Sequence, residues 1–324
     1  RKKAFRKAKH RAIRPWKGLS IVCAILAVIF VPLYSLLNVF DNSLAIFVGG
    51  TFWKLKNEDQ SAQYFTSDFE STEDMVDYGL QLVQQVEAEG AALLMNENNA
   101  LPLAEGANVS LFSNSSVNLV YGGTGSGALS DAYETTTLLG GLEDAGYKIN
   151  TELTDFYKAY REDRPEVGMW AQDWTLPEPT ADSYSDELIN NAKEFSDTAM
   201  VVITRVGGEG ADLPTDVSKV TYTDNSENYK DFEAGEHYLQ LSQTEKDMLD
   251  LVCANFDNVV VVYNGANTME LGFLNDYKQI KGAIWCPGTG QSGFESLGAV
   301  VAGTVNPSGK TSDTFVYDLS LIHI

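Results

Sequence analysis

The sequence is short of the residues that build metal and redox centres. It has three cysteines in 324 residues, at 23, 253 and 286. The number is odd and the spacing fits neither a metal motif nor a redox pair, so a disulfide framework is excluded and buried free thiols are expected. Histidine is equally scarce. His10, His237 and His323 are far apart, and no His/Cys cluster has zinc-ligand spacing, so no metal is expected. Base is lacking from most of the chain. Nine of the 23 Lys/Arg lie in residues 1–17, which leaves 14 against 45 Asp/Glu, a net of about −31 beyond residue 17. Phosphate backbones are bound through Lys and Arg, so a nucleic-acid partner is excluded. Neither an internal repeat nor a low-complexity tract is found. Apolar residues make up 44% and charged residues 21%, enough to build a sizeable core.

What the first 40 residues do have is one long uncharged run. Gly18 to Phe40 carries no charged side chain over 23 residues. As a helix it would be roughly 34 Å long, enough to cross the hydrocarbon core. Pro32 within it is tolerated in membrane helices, and Trp16 and Tyr34 are amphipathic aromatics of the kind found at interfaces. The basic block precedes the run and Asp41 follows it, so the positive-inside rule places residues 1–17 in the cytoplasm and the main domain outside. The rival reading is a cleaved signal peptide, disfavoured because the run is long for an h-region and no A-x-A site follows. Leu44 to Trp53 is too short to span.

The expected organisation is a basic segment over 1–17, a transmembrane anchor over 18–40, a linker over 41–72, a globular domain over 73–317 and a truncated tail over 318–324. Met75, Leu80, Leu82, Val83 and Val86 form a helical stripe ending near Gly90. Short apolar runs at 91–95, 109–112, 199–204, 258–263 and 280–285 predict buried strands. Helical patterns fall near 131–145, 183–195, 243–255 and 291–303. Such alternation predicts an α/β sandwich with a mostly parallel sheet flanked by helices. The polar, aromatic stretch from Asp216 to Glu236 predicts a long loop after a strand, of the kind that lines sites.

The chemistry is expected just past a strand. Thr204-Arg205-Val206-Gly207-Gly208-Glu209-Gly210-Ala211-Asp212-Leu213-Pro214 follows the run at 199–204. Ligand sites gather at the carboxyl ends of parallel strands. Glycines around one Glu present that carboxylate in the open, where it could act as a general acid if partial burial raised its pKa. The bland alternative is a solvated Glu in a turn.

Five blocks in chain order carry a resemblance. They are Glu89–Glu97 with Leu101-Pro102-Leu103, then Gly122-Gly123-Thr124-Gly125-Ser126-Gly127, then Arg205–Asp212, then Leu241–Glu245, and last Pro287–Gly293 with Gly303 and Asn306–Lys310. Together they resemble the α/β-sandwich domain of glycoside hydrolase family 3, often called its C-terminal domain. The resemblance implies a retaining β-glycosidase that uses two carboxylates and no cofactor, and a β-glycoside or oligosaccharide substrate. It implies that Glu209 is the acid/base and that the nucleophile sits on a TIM-barrel domain. No such barrel is found in the chain, which is therefore expected to be a fragment inactive alone, with inverted domain order. Arg205 and Asp212 are expected to support the loop, each with an ordinary surface ion pair as the alternative. Gly125, Ser126 and Trp285 are candidate substrate contacts. Ala211 and Leu213 around Asp212 depart from the family's usual loop.

The spacing Gly123-x-Gly125-x-Gly127 differs from the G-x-G-x-x-G of a dinucleotide site, and no Lys-Ser/Thr follows it for a P-loop. Asn108-Val109-Ser110 and Asn114-Ser115-Ser116 are formal glycosylation sequons beside a predicted buried strand, which favours no modification. Trp170 and Trp174 are further aromatics that would stack on sugars or, more commonly, pack. The reading from another class is a non-catalytic surface module that binds carbohydrate or docks a partner.

Overall fold

The computed structural model describes all residues except 41–43, 45–66, 131, 163–175, 210–211, 221–231 and 322–324. The expectations for most of the linker, the stretch from Leu44 to Trp53, and Trp170 and Trp174 therefore lie outside the described residues. The chain forms two compact units, residues 1–68 and 69–324.

In the first unit, α1 runs over Lys2–Val39 with no buried residue. It is long and apolar enough to cross a membrane. Its polar side chains bond within the helix: Ser20 to the Trp16 carbonyl, Ser35 to that of Val31 and Asn38 to that of Tyr34. Such internal bonds suit a non-aqueous surrounding. Cys23 lies on α1 and is exposed, so buried thiols are found only at Cys253 and Cys286.

The second unit is a six-stranded sheet with helices on both faces. Its strands are β1 (Ala92–Asn96), β2 (Asn108–Phe112), β3 (Lys148–Ile149), β4 (Thr198–Arg205), β5 (Asn258–Gly265) and β6 (Ile280–Cys286). They lie in the order β1-β6-β5-β4-β2-β3. All neighbours pair parallel except β1, which runs antiparallel to β6 at one edge. The sheet is thus mostly parallel, as expected.

Strand alternation divides the core in two. Ala199, Val201, Ile203, Val259, Val261 and Tyr263 face one cluster. There they meet α4 (Thr151–Glu162), α5 (Asp186–Phe195) and α6 (Gln243–Asn255). Met200, Val202, Val260, Val262 and Ile284 face the other cluster, with α3 (Leu138–Asp144) and α7 (Gly293–Val301). There α3 and α7 cross at backbone contact: a Cβ on Gly141 would lie 2.1 Å from the Phe294 oxygen. Outside α7 lies α2 (Thr72–Gly90), capped by Ser71, whose side chain accepts from the Asp74 amide.

The helix expected near 131–145 is shorter than its pattern. Thr137 accepts from the Gly140 amide and starts α3 at Leu138, while the Thr136 amide is held by the Gln291 carbonyl. Likewise Ser185 caps α5, so that helix begins at Asp186 rather than near 183. Missing from the expectations are β3 and α4. Asn150 caps α4 by accepting from the Leu153 amide at 2.9 Å, and Leu153 and Tyr157 fill the core.

Candidate active site

Arg205, the last residue of β4, is the foundation of the site. Its guanidinium is fully buried and makes a bidentate pair with Glu245, Nη1 to Oε1 at 2.9 Å and Nη2 to Oε2 at 2.7 Å. Its remaining donors go to carbonyls of Tyr238, Thr204 and Gln240 at 2.6–2.7 Å. The surface ion pair weighed for Arg205 is thereby overturned: a side chain at 0% exposure cannot exchange its partners for water. Glu245 serves twice, because it also closes the capping box of α6 with Ser242. The pair therefore locks together the end of β4, the return of the long loop at 238–240 and the start of α6.

Four residues further on, Glu209 is exposed. Its loop lies against the glycine loop of 122–127. Thr124 and Gly208 form an isolated parallel bridge. The Thr124 amide donates to the Gly207 carbonyl at 3.2 Å, and the Glu209 amide to the Thr124 carbonyl at 3.4 Å. Gly208 is required there, since a Cβ would lie 2.1 Å from Thr124 Oγ1. Gly125 has φ +73° and approaches Glu209 so closely that a Cβ would come within 3.0 Å of the Glu209 Cβ. Ser126 donates to Glu209 Oε2 twice, from its amide at 3.2 Å and from its hydroxyl.

These bonds set the electrostatics of Glu209. The Ser126 hydroxyl, and then its amide, hold the carboxyl below its ordinary range. The partial burial that would raise it, and so suit it to a general acid, is not found. In this domain the carboxylate is instead open to water and satisfied by donors, which favours the charged form.

The carboxyl ends of the neighbouring strands are tied to this place. Asn264, at 0% exposure near the end of β5, accepts from the Val120 amide at 2.7 Å and donates toward the carbonyls of Val120, Cys286 and Pro287. Gly290 donates to the Tyr121 carbonyl at 2.7 Å. The loops after β2, β5 and β6 thus share one set of bonds.

The other expected site residues fall differently. Asp212 is exposed and forms no ion pair among the described residues. Trp285 is a core residue and not a sugar platform: it is 6% exposed, its indole N–H donates to the Gly265 carbonyl at 2.8 Å, and Phe315 packs against its ring. The sequons are spent on packing. Asn108 donates to the Phe195 carbonyl and Asn114 is buried. Of the long loop, residues 221–231, Tyr222 and Tyr229 among them, lie outside the described residues, while Val217 and Tyr238 form a small core of their own.

One buried cluster escaped the sequence altogether. Glu178 accepts from Tyr184 Oη at 2.7 Å, Ser113 Oγ at 2.9 Å and the Asn114 amide at 2.8 Å. Tyr184 in turn bonds Tyr157 at 2.8 Å. Burial pushes the Glu178 carboxyl up to about 8 despite these donors. Burial likewise pushes Glu87, on α2, up to about 7. Glu178 holds Ser113, whose φ of +84° is unusual for a residue with a side chain. Through Ser115, which bonds Thr204 at 2.9 Å, the cluster reaches β4 just before Arg205.

Residues 91–323 match the glycosyl hydrolase family 3 C-terminal domain. The chain belongs to glycosyl hydrolase family 3. A beta-glucosidase of Ruminococcus albus is 30% identical over 244 residues, covering 74% of this chain and 23% of that protein. Beta-glucosidase A of Butyrivibrio fibrisolvens is 30% identical over 248 residues, 73% of this chain and 28% of its own length. Beta-glucosidase 3B of Thermotoga neapolitana, solved with α-D-glucose, superposes with a TM-score of 0.61 at 26% identity, over 77% of this chain and 32% of that one. The chain thus spans about a quarter of the length of the curated family 3 relatives it matches.

Proposed function

We propose that this domain supplies the acid/base carboxylate, Glu209, of a retaining β-glycosidase of the β-glucosidase type. The observation that carries the reading is the placement of Glu209: an open carboxylate past the end of β4, on a glycine loop whose base is the buried Arg205–Glu245 pair. Family membership and the β-glucosidase relatives support it. Retaining chemistry sets two carboxyl groups about 5–5.5 Å apart, so the nucleophile would come from a barrel domain outside residues 1–324, closing over the Glu209 face. In the first step protonated Glu209 gives its proton to the glycosidic oxygen as the nucleophile takes the anomeric carbon. In the second, the Glu209 carboxylate takes a proton from the water that frees the sugar. Gly125 and Ser126, beside Glu209, are the proposed sugar contacts. No residue of the proposal requires a metal or an organic cofactor.

The domain is further proposed to stand outside the cell on α1, with residues 1–17 in the cytoplasm. The length and apolar character of α1 support this, and a signal sequence is the other reading. Resistance of the mature protein to carbonate extraction would mark the anchor, whereas release of a chain lacking residues 1–40 would mark the signal.

The test of the acid/base role is Glu209→Gln in the protein with its nucleophile domain. Hydrolysis of a β-glucoside with a poor leaving group should fall by on the order of 10²–10⁴-fold, and that of one with a good leaving group far less. Equal losses on both would count against an acid. The second reading is a non-catalytic carbohydrate-binding module, favoured by the exposed, donor-satisfied state of Glu209 in this domain. It predicts calorimetric sugar binding that Glu209→Gln leaves unchanged.

A further inference from the structure

Ser126 stands in an unexpected relation to Glu209. A general acid needs its proton, yet both donors of Ser126, the backbone amide at 3.2 Å and the hydroxyl, are spent on Oε2 of the group that must carry it. The arrangement is built into the backbone. Gly125 takes a left-handed φ of +73° that brings residue 126 over the carboxylate, and the Thr124–Gly208 bridge fixes the spacing of the two loops. Donors of this kind favour the ionised form, because an oxygen accepting two bonds resists protonation.

In a two-carboxylate mechanism the acid/base passes through both states. It enters as the acid and leaves the first step as the carboxylate, which must then take a proton from water. We propose that Ser126 is a positioning residue that biases Glu209 toward the base half of the reaction, its hydroxyl and amide holding the carboxylate once the proton has left for the leaving-group oxygen. The proposal rests on the reading of Glu209 as acid/base. Its bond changes balance. The proton on Glu209 passes to the departing alcohol, and Ser126 Oγ–H turns onto the freed Oε2. When water gives its proton back to Glu209, that hydroxyl turns to solvent, to which Ser126 is exposed.

The two half-reactions should therefore respond oppositely to loss of the hydroxyl. In Ser126→Ala, protonated Glu209 survives to higher pH, so the alkaline limb of kcat/KM on a poor-leaving-group glycoside moves upward. The acid limb of kcat on an activated glycoside, limited by the second step, moves upward as well, so that kcat falls at low pH. Ser126→Thr keeps the hydroxyl and serves as the control for the titration of Glu209, since an added methyl beside a proposed sugar contact bears on hydrolysis by itself. Ser126 is exposed, so neither variant threatens folding.

A readout that needs no activity decides the matter. In the full-length protein labelled with ¹³C-carboxyl glutamate, Glu209 is assigned by the signal lost in Glu209→Gln and titrated in the wild type and both Ser126 variants. The midpoint should rise by about one pH unit in Ser126→Ala, the scale of one charge-assisted hydrogen bond, and stay in place in Ser126→Thr. An unmoved titration in Ser126→Ala overturns the proposal whatever hydrolysis does. A moved titration in a protein that hydrolyses no glycoside leaves the pairing in place and removes the acid/base reading instead.

Discussion

Two carboxylates serve the same stretch of chain and live in opposite surroundings. Glu245 is buried, meets the Arg205 guanidinium in a fork, and accepts from the Ser242 amide at 2.9 Å. Glu209 lies in water at the tip of the loop that Arg205 begins and is held by one serine. The first is fixed by everything around it and has no chemical freedom left. The second has partners that water or a sugar could replace. The difference separates a foundation from a group with chemical freedom: under the proposed acid/base role, Glu209 could not be wired as completely as a charge that only holds a loop in place.

The contrast breaks most visibly at Glu245. Glu245→Ala leaves Arg205 buried without its counter-charge and should cost about 3–5 kcal/mol, read as a lowered urea midpoint. Replacing both partners, Arg205→Met with Glu245→Met, should recover much of the loss. Equal damage in the single and double variants would mean that the carbonyl bonds of Arg205, not its pairing, hold the loop. Next in size is Gly208→Ala. Its Cβ has no room beside Thr124, so overpacking should cost roughly 1–3 kcal/mol and speed hydrogen exchange at Thr124 and Glu209. Unchanged exchange there would mean that the bridge does not fix the loop.

Buried carboxyls sharpen the comparison through pH. Glu178 and Glu87 keep their protons in the folded state to about 8 and about 7, from an ordinary 4.5. The unfolded chain binds fewer protons across that interval, so their contribution is fully present below about pH 4.5 and is lost as pH rises through 7 and 8. The stability gap between wild type and Glu178→Gln should shift against the wild type from pH 4.5 to 8. A gap that is flat with pH would show that Glu178 is ionised when folded. Smallest is Glu209→Gln, which should leave the unfolding midpoint in place, since the side chain is open to solvent. A shifted midpoint would make Glu209 part of the foundation.

The legible parts of this molecule were those governed by local pattern. Short apolar runs marked β4, β5 and β6 because strands buried on both faces are near-continuously apolar. The glycines of 122–127 and 207–210 marked two loops because close backbone approach excludes side chains. That these loops touch each other was not legible, because the bridge from Thr124 to Gly208 depends on β2 and β4 being sheet neighbours. Glu245 left one local trace, the Ser242-x-x-Glu245 cap, but its pairing with Arg205 spans 40 residues. Glu178 left none, since its partners come from two separate segments, Ser113–Asn114 and Tyr184. Trp285 was misplaced because an aromatic at a strand end looks the same in sequence whether its ring faces a sugar or Phe315.

Asn264 has a consequence for anyone who would re-engineer this end of the sheet. One amide side chain reaches two stretches far apart in sequence, at Val120 and at Cys286 and Pro287, beside the backbone bond from Gly290 to Tyr121. Loops transplanted singly from a relative would arrive with their own lengths and leave that amide partnerless in the dry interior. The segments around 120, 264 and 287 make up one exchangeable cassette, and chimeras should inherit them together.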